Sequence, residues 1–224
     1  MSLHLQRDID QLKREILQLG SMVETAINNA IIALNNRRPE LAQSVFEGEK
    51  LINEKEVLIE EECLKILALH QPVAVDLRLI VVILKVNNDL ERMGDFAVNV
   101  AKRAVFLSSQ EPIPCPPEFT DRMSTDIISM VRDSLDALVK LDIDMAHKVI
   151  AMDDDVDEVN RQMYRALQEL MESDATTIER AISLLSTSRY LERIADLATN
   201  IAEDVIFMVE GEVIRHKIRE RFTR

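Results

Sequence analysis

The sequence predicts an all-α protein made of two tandem three-helix bundles, with six long antiparallel helices. Three observations predict this fold. The 224 residues include only 4 Gly and 6 Pro, the main breakers of helices. Apolar residues recur at helical spacing, and no run shows the period-two alternation of a strand. A helical segment also occurs twice, 101 residues apart.

The first half of the chain predicts three helices separated by prolines. Pro39 suits the first turn of a new helix. Pro72 ends the second helix, because a residue that precedes proline avoids the α region. The three predicted helices span Leu3–Asn36, Pro39–Ala68 and Val73–Ser108.

A proline-rich stretch follows the third helix. Residues 112–117 contain four prolines, and no other part of the chain resembles it. Such a stretch cannot be helical. We therefore predict a hinge at residues 111–117, between a first repeat at residues 1–110 and a second at residues 118–224.

The second half repeats this plan. A fourth helix is predicted at Glu118–Lys140 and a fifth at Asp144–Glu172, with a break at residues 141–144. Ser173 and Asp174 are suitable N-cap residues for a sixth helix, which we expect to continue in weaker form past Gly211.

The third and sixth helices carry the internal repeat. Val73–Leu107 aligns without a gap on Asp174–Met208 and gives ten identical pairs. Average composition gives roughly two or three chance matches over such a window, so the two halves are homologous. A weaker match upstream has an offset of 104 residues and pairs Ala42, Val45, Glu49 and Asn53 with Ala146, Val149, Asp153 and Asp157.

Both copies of the repeat carry a row of side-chain oxygens. Residues four apart lie on one helix face, about 6 Å apart along the axis. The first row comprises Asn87, Glu91, Asp95 and Asn99, and the second comprises Ser188, Glu192, Asp196 and Asn200.

Two interpretations of the rows remain open. Carboxylates one turn apart repel each other, and a hard cation such as Mg²⁺, Mn²⁺, Ca²⁺ or iron would relieve that repulsion. Asp153 with Asp157, and Glu49 with Asn53, supply further oxygens on neighbouring helices. Alternatively, the rows are neutralised by basic residues, for which Arg78, Arg92, Lys102 and Arg193 are the candidates.

Several function classes are disfavoured. The formal charge of −13 opposes nucleic-acid binding, which depends on neutralising phosphates. None of the four histidines has a Glu three residues before it, as a ferritin-like di-iron bundle requires. Cys63 and Cys115 show no metal or redox spacing, and no nucleophile motif occurs. With no signal peptide and no membrane-length apolar run, we expect a cytoplasmic protein.

Three stretches resemble the signatures of the PhoU family. Gln71–Arg78 and Asp89–Asn99 are similar to its first signature, and Tyr190–Glu203 is similar to its second. The two-repeat plan agrees, so the resemblance covers essentially the whole chain. Asn53 departs from the pattern, since an acid is expected there, and Leu197 stands where many relatives carry His.

The resemblance implies two three-helix bundles related by pseudo-twofold symmetry, and it implies a regulator rather than an enzyme. PhoU-like proteins repress the phosphate-starvation response and couple the nucleotide-binding subunit of the phosphate ABC transporter to a sensor histidine kinase. This implies association with the inner face of the membrane through those partners, and it is compatible with a homodimer. Partner contacts are expected at Asp76, Arg78, Arg92 and Arg193.

The resemblance also implies metal ligands. Some relatives bind multinuclear clusters through paired acidic motifs, which would be occupied here by Mg, Mn, Fe or Zn. Glu91, Asp95, Glu192, Asp196, Asp153 and Asp157 match those motifs, with Asn99, Asn200, Glu49 and Asn53 beside them. Two other hypotheses stay open: a metal-dependent enzyme or metal store that uses the same rows, and a purely structural helical scaffold.

Overall fold

The computed structural model describes residues 3–116 and 119–211 and shows six long helices. Within these two ranges there is no β-strand, as the all-α prediction requires. No helix of the described ranges is long and apolar enough to cross a membrane. The helices are α1 (Leu3–Asn35), α2 (Pro39–His70), α3 (Ala74–Ser108), α4 (Ser124–Lys140), α5 (Ile143–Ser173) and α6 (Ile178–Glu210).

Helices α1, α2 and α3 pack together as the first bundle. Each of them buries an apolar stripe, with Leu12, Cys63 and Leu90 among the fully buried residues. Polar pairs join α1 to α2 at the edge of this core: Lys55 Nζ contacts a carboxylate oxygen of Glu15, and a ring nitrogen of His70 lies 3.0 Å from Asp8.

Helices α4, α5 and α6 form the second bundle. Asp142 caps α5, since its carboxylate accepts a 3.0 Å hydrogen bond from the amide of Met145. A π-helical turn at Phe119–Met123 precedes α4, so this helix begins at Ser124; the predicted start at Glu118 lies outside the described residues. Helix α4 is therefore about half as long as α1.

The connection between α5 and α6 corrects one prediction. Ser173 does not cap α6, because it is still in the last turn of α5, where its hydroxyl donates to the carbonyl of Leu170. Asp174 instead caps a short 3₁₀ turn at Ala175–Thr177, because its carboxylate accepts a 2.9 Å hydrogen bond from the amide of Thr176. Helix α6 begins after this turn, at Ile178, and has no side-chain cap. Helix α6 ends at Glu210, and its expected continuation past Gly211 lies outside the described residues.

The two bundles meet where α3 crosses α6 in antiparallel orientation. Lys85 Nζ lies 2.8 Å from the buried carboxylate of Asp204, and the rings of Phe96 and Tyr190 stack at 6.0 Å. This register places Met93 opposite Ile194, and both are fully buried. The two residues occupy the same position of the repeat, so the pseudo-twofold axis passes between them.

The proline-rich linker contacts both bundles. On one side, Arg37 donates hydrogen bonds to the carbonyls of Ser108 and Gln110. On the other, Arg180 donates a 3.0 Å hydrogen bond to the carbonyl of Glu111. Cys115 packs against the core, with its sulfur 3.8 Å from that of Met163. The hinge at residues 111–117 and its flanking boundaries stay a prediction, and Pro117 and Glu118 lie outside the described residues.

Candidate functional site

The two predicted rows of oxygens lie on equivalent helices. The first is on α3, which packs against α2, and it begins at the buried Asn87, passes the half-buried Glu91 and reaches the exposed Asp95. The second is on α6, which packs against α5. In the second row Ser188 is buried, and Glu192, Asp196 and Asn200 are half-buried, as is Asn99 in the first. Each row therefore begins at a buried residue and continues along residues that are partly or fully exposed.

The buried end of each row is joined to the neighbouring helix by a hydrogen bond. Asn87 Nδ2 donates to the backbone carbonyl of Glu56 at 2.9 Å and to its carboxylate at 3.3 Å. Ser188 Oγ donates to Asn160 Oδ1 at 2.6 Å. The repeat offsets of 101 and 104 residues map one pair onto the other. The same cross-helix link is thus built twice from different polar residues.

Glu91 is the centre of an acidic group in the first bundle. Burial is the main cause that raises its pKa above the ordinary value, and the nearby carboxylates of Asp95, Glu56 and Glu49 raise the pKa further. Arg92 acts in the opposite direction. Glu49 lies on α2 and is half-buried, so α2 and α3 together supply these acids.

Glu192 holds the equivalent position in the second bundle. Burial again raises the pKa of its carboxyl most, followed by the charges of Asp196 and Asp157, while Arg193 and Arg189 lower the pKa. The two glutamates are therefore in equivalent electrostatic environments, each with an aspartate one turn along and a further acid on the adjacent helix.

The remaining predicted ligands on α2 and α5 differ between the halves. Asp157 is half-buried and lies 3.6 Å from Arg161. Asp153 is also half-buried, one turn before it. In the first half, Asn53 occupies the position of Asp157; it is exposed and carries no charge. The first acidic group instead includes Glu56, whose counterpart in the second half is the neutral Asn160.

The donors fit a hard cation by their chemistry. They are carboxylate and amide oxygens. The side-chain nitrogen of Asn87 donates to Glu56, but its buried Oδ1 has no hydrogen-bond partner. Their geometry is more open, since in the described ranges no three His, Cys, Asp or Glu side chains converge closely enough to hold a metal ion. Closing such a site would require rotamer changes of the half-buried carboxylates. Metal ligation by these residues stays a prediction.

Basic residues neutralise the rows only in part. Arg92 reaches Asp89 at 4.0 Å, the outer limit of an ion pair. Arg78 is not near either row, because its guanidinium lies against Gly211 at the end of α6. Arg193 and Arg189 do lower the pKa of Glu192. One arginine, Arg92, lowers the pKa of Glu91 in the first row, and two do so for Glu192 in the second.

The four expected partner-binding residues do not form one surface. Asp76 and Arg78 lie in the first turns of α3 and are half-buried, with the Nε of Arg78 buried and without a hydrogen-bond partner. Arg92 is fourteen residues further along the same helix, about 21 Å away along its axis. Arg193 is on α6. Partner binding at these positions stays a prediction.

The structure adds residues that the sequence analysis missed. Glu56 and Asn160 join their groups through hydrogen bonds to Asn87 and Ser188. Applying the weaker repeat offset to every polar residue of α2 would have paired them. Nothing in the pattern signalled the ion pair between Lys85 and Asp204, because their repeat counterparts are Ser186 and Arg103.

Comparison with known proteins identifies the family. The family model for the PhoU domain matches residues 5–104 and 120–205. A "Phosphate-specific transport system accessory protein PhoU homolog" from Aquifex aeolicus is 40% identical over 96% of this chain and 97% of its own length. The Escherichia coli protein named "Phosphate-specific transport system accessory protein PhoU" is 35% identical over 93% of this chain and 86% of its own.

Solved structures agree with the sequence comparison. The crystal structure of PhoU from Pseudomonas aeruginosa superimposes with a TM-score of 0.90 at 38% identity, covering 92% of this chain and 99% of that one. The phosphate transport system regulatory protein PhoU from Streptococcus pneumoniae gives 0.85 at 27% identity, with coverages of 93% and 98%. The chain with two equivalent carboxylate rows on α3 and α6 therefore belongs to the PhoU family.

Proposed function

We propose that this protein regulates phosphate transport and represses the phosphate-starvation response. The observation that carries this proposal is similarity over nearly the whole chain to proteins named as accessory proteins of the phosphate-specific transport system. One of the solved relatives is also titled as a regulatory protein of that system. Because the match includes both bundles, it supports a shared role rather than a shared fragment.

Within that role, the protein acts as an adaptor rather than as an enzyme. It contacts the nucleotide-binding subunit of the phosphate ABC transporter and a sensor histidine kinase, and so works in the cytoplasm at the inner face of the membrane. Support comes from an apolar patch around the α2–α3 turn. Leu69 and Val73 are 67% and 73% exposed, and neighbouring apolar side chains of this kind mark protein-binding surfaces.

The carboxylate rows contribute to this function by binding cations. The raised pKa values of Glu91 and Glu192 reflect burial and crowded negative charge, which a divalent or iron cation would neutralise. A bound ion would also fix the side chains of α2 against α3 and of α5 against α6. The faces that present the rows would then be shaped for a partner.

A pull-down at high and low phosphate tests the adaptor role. The full chain serves as bait for the transporter's nucleotide-binding subunit and for the sensor kinase. We expect binding to at least one of them, with a phosphate-dependent difference for the kinase. Val73→Asp should weaken binding, whereas the matched control Val105→Asp, on a surface valine 40% exposed at the other end of α3, should not. Absence of binding under both conditions would overturn the proposal.

The second candidate is a metal-dependent enzyme or metal store that uses the same rows. The raised pKa of Glu192 favours it, since a carboxyl that is protonated more readily than usual can serve as a general acid. Elemental analysis of the purified chain, combined with assays of repression and of turnover, separates this candidate from the adaptor. A metal-free protein that still represses the phosphate-starvation response rules out this candidate. Enzymatic turnover that is present in the wild type and absent in Glu192→Gln supports it.

A purely structural scaffold is the third alternative. Replacing Asp95 and Asp196 with Asn removes charge from both rows and keeps the side-chain shape. If the rows only support the fold, repression of a phosphate-starvation reporter should be unchanged in this double variant. We expect repression to be lost while the helical signal in circular dichroism is retained.

A further inference from the structure

An apolar pocket of about 170 Å³ lies at the junction of the two bundles. Helix α1 contributes Ile9 and Ile16, α3 contributes Leu79 and Ile83, and the ends of α4 and α6 contribute Leu138 and Met208. The pocket exists because α4 ends at Lys140, about half the length of α1, so the N-terminal half of α1 has no partner helix from the second bundle.

The mouth of this pocket is apolar as well. Val75, Val139 and Leu141 surround it, with 55%, 48% and 42% of their surface exposed. Gln6, Lys13 and Asp76 supply its polar rim. An apolar cavity of roughly 150 Å³ is large enough to bind benzene, so this one has room for a large apolar side chain. Its ligand should therefore be an apolar anchor on a polar segment.

The described chain ends beside the pocket. Met208 lines it, and Gly211 follows three residues later in a left-handed conformation with a φ of +76°, which turns the backbone away from the axis of α6. A Cβ built on Gly211 would lie 3.4 Å from Nη1 of Arg78, one helical turn from Val75. The last described residue, Gly211, therefore lies within one helical turn of a residue that lines the pocket.

The composition of residues 212–224 fits such a ligand. Ile214, Ile218 and Phe222 are spaced four apart, the spacing of anchors in peptides that bind grooves. The segment has five basic and two acidic residues, a formal charge of +3, whereas the other 211 residues hold 22 basic and 38 acidic ones, a charge of −16. Thirteen residues span about 20 Å as a helix and more when extended, which is enough to cross the pocket.

We propose that residues 212–224 bind in this pocket, with an apolar side chain from the Ile214, Ile218 and Phe222 series as the anchor. Among the lining residues, the carboxylate of Asp76 would attract a basic segment and Lys13 would repel it. The occupant is part of this chain, so its effective concentration is high.

Cross-linking in the full chain tests this proposal. Cys63 and Cys115 are first replaced with Ala, and the helical signal is checked. Thr223→Cys is then combined with Val75→Cys or with Val139→Cys at the pocket, or with Ser44→Cys as a matched control. Ser44 is exposed and contacts Asn29, thirteen residues along α1 from Ile16 and about 20 Å from the pocket.

A short bismaleimide should join Thr223→Cys to a pocket cysteine within one chain, with a yield about tenfold above the Ser44→Cys control because binding raises the local concentration. Adding Ile218→Asp and Phe222→Asp should reduce the yield to the control level. Equal yields at the pocket and at Ser44→Cys would overturn the proposal. Cross-linked dimers in place of monomers would also overturn it, since a second copy would then fill the pocket.

Discussion

At the scale of single residues, the protein concentrates unfavourable charge at Glu91 and Glu192. Both carboxyls are half-buried, and both have an aspartate one turn away and a further acid on the neighbouring helix. Such an arrangement reduces the stability of the metal-free fold at neutral pH, because the raised pKa means that the folded state prefers the protonated form. Both halves keep this loss of stability, and a bound cation would offset it by neutralising the carboxylates.

The sign of this effect gives a prediction for Glu192→Gln. A raised pKa in the folded state lowers stability as pH rises from the ordinary glutamate pKa through the raised value, and the deficit persists at neutral pH. In chelator at pH 7 the variant should be more stable by about 0.5 kcal/mol, or about 1–2 °C in Tm. The gain should disappear below about pH 4, where the wild-type carboxyl is protonated.

Glu158→Gln is the matched control for this measurement. Hydrogen bonds from Gln162 and Arg161 lower the pKa of Glu158, on the same helix as Asp157, so its removal should not stabilise the protein at pH 7. Adding Mn²⁺ should raise the Tm of the wild type and of this control more than that of Glu192→Gln. A wild-type Tm that does not respond to Mn²⁺ would remove the reason for the cation interpretation.

Sequence patterns identified these residues only in part. The spacing of four residues paired Glu91 with Asp95 and Glu192 with Asp196, and in each pair the aspartate charge adds to burial in raising the pKa of the glutamate. Glu56 was missed because its role depends on which residue of α2 faces Asn87, and that is decided by the rotation of one helix against another. Local spacing holds no information on such rotation.

At the scale of helices, two glycines offer a matched pair. Gly20 and Gly48 both lie inside long helices, where replacement by Ala gains about 1 kcal/mol of helix propensity. A Cβ at Gly48 would meet nothing within 4 Å. A Cβ at Gly20 would lie 2.7 Å from Cδ1 of Leu135, where α1 packs against α4.

Gly48→Ala should therefore raise the free energy of unfolding by about 1 kcal/mol. Gly20→Ala should give no gain, or a loss of up to about 1 kcal/mol, because Leu135 must leave its position. Urea denaturation of the two variants measures the difference. An equal gain in both would mean that α1 and α4 are not in close contact at this point.

Helix boundaries followed closely from the sequence where a breaker was present. Pro39 starts α2, and the helix ends just before Pro72, with Gln71 in a left-handed conformation at φ 45°. The α5–α6 connection was less predictable. Ser173 was expected to cap the sixth helix together with Asp174, but α5 extends through Ser173 and a 3₁₀ turn separates Asp174 from α6. How far α5 extends is decided by tertiary packing.

At the scale of the whole molecule, the α3–α6 crossing joins the bundles, and Lys85 with Asp204 is its ion pair. Asp204 is 2% exposed, so its charge needs compensation. Lys85→Met leaves that carboxylate without its lysine and should cost about 2–3 kcal/mol. The double variant Lys85→Met with Asp204→Leu should recover most of the loss.

Chemical denaturation of the two single variants and the double variant completes this cycle. A coupling energy near zero would show that the pair contributes little to holding the bundles together. Because Lys85 also lies over the ring of Phe207, at 5.3 Å from its centroid, Lys85→Arg is the conservative variant that should retain most of the stability.

The two-bundle architecture was predictable because duplication is visible in the sequence, with ten identical pairs at one offset. How the bundles contact each other was not, since Lys85 and Asp204 differ from their counterparts Ser186 and Arg103. Residues at the pseudo-twofold interface need not match their copies, so repeat analysis does not reveal them.

The measurement that tests the central claim most directly is anomalous scattering from crystals of this protein soaked in Mn²⁺. If the duplicated acidic groups are cation sites, one peak should lie beside Glu91 and Asp95 and another beside Glu192 and Asp196, related by the axis between Met93 and Ile194. Crystals that show no peak at either group, or a peak in one half alone, would contradict the claim that both copies retain the same ion-binding role.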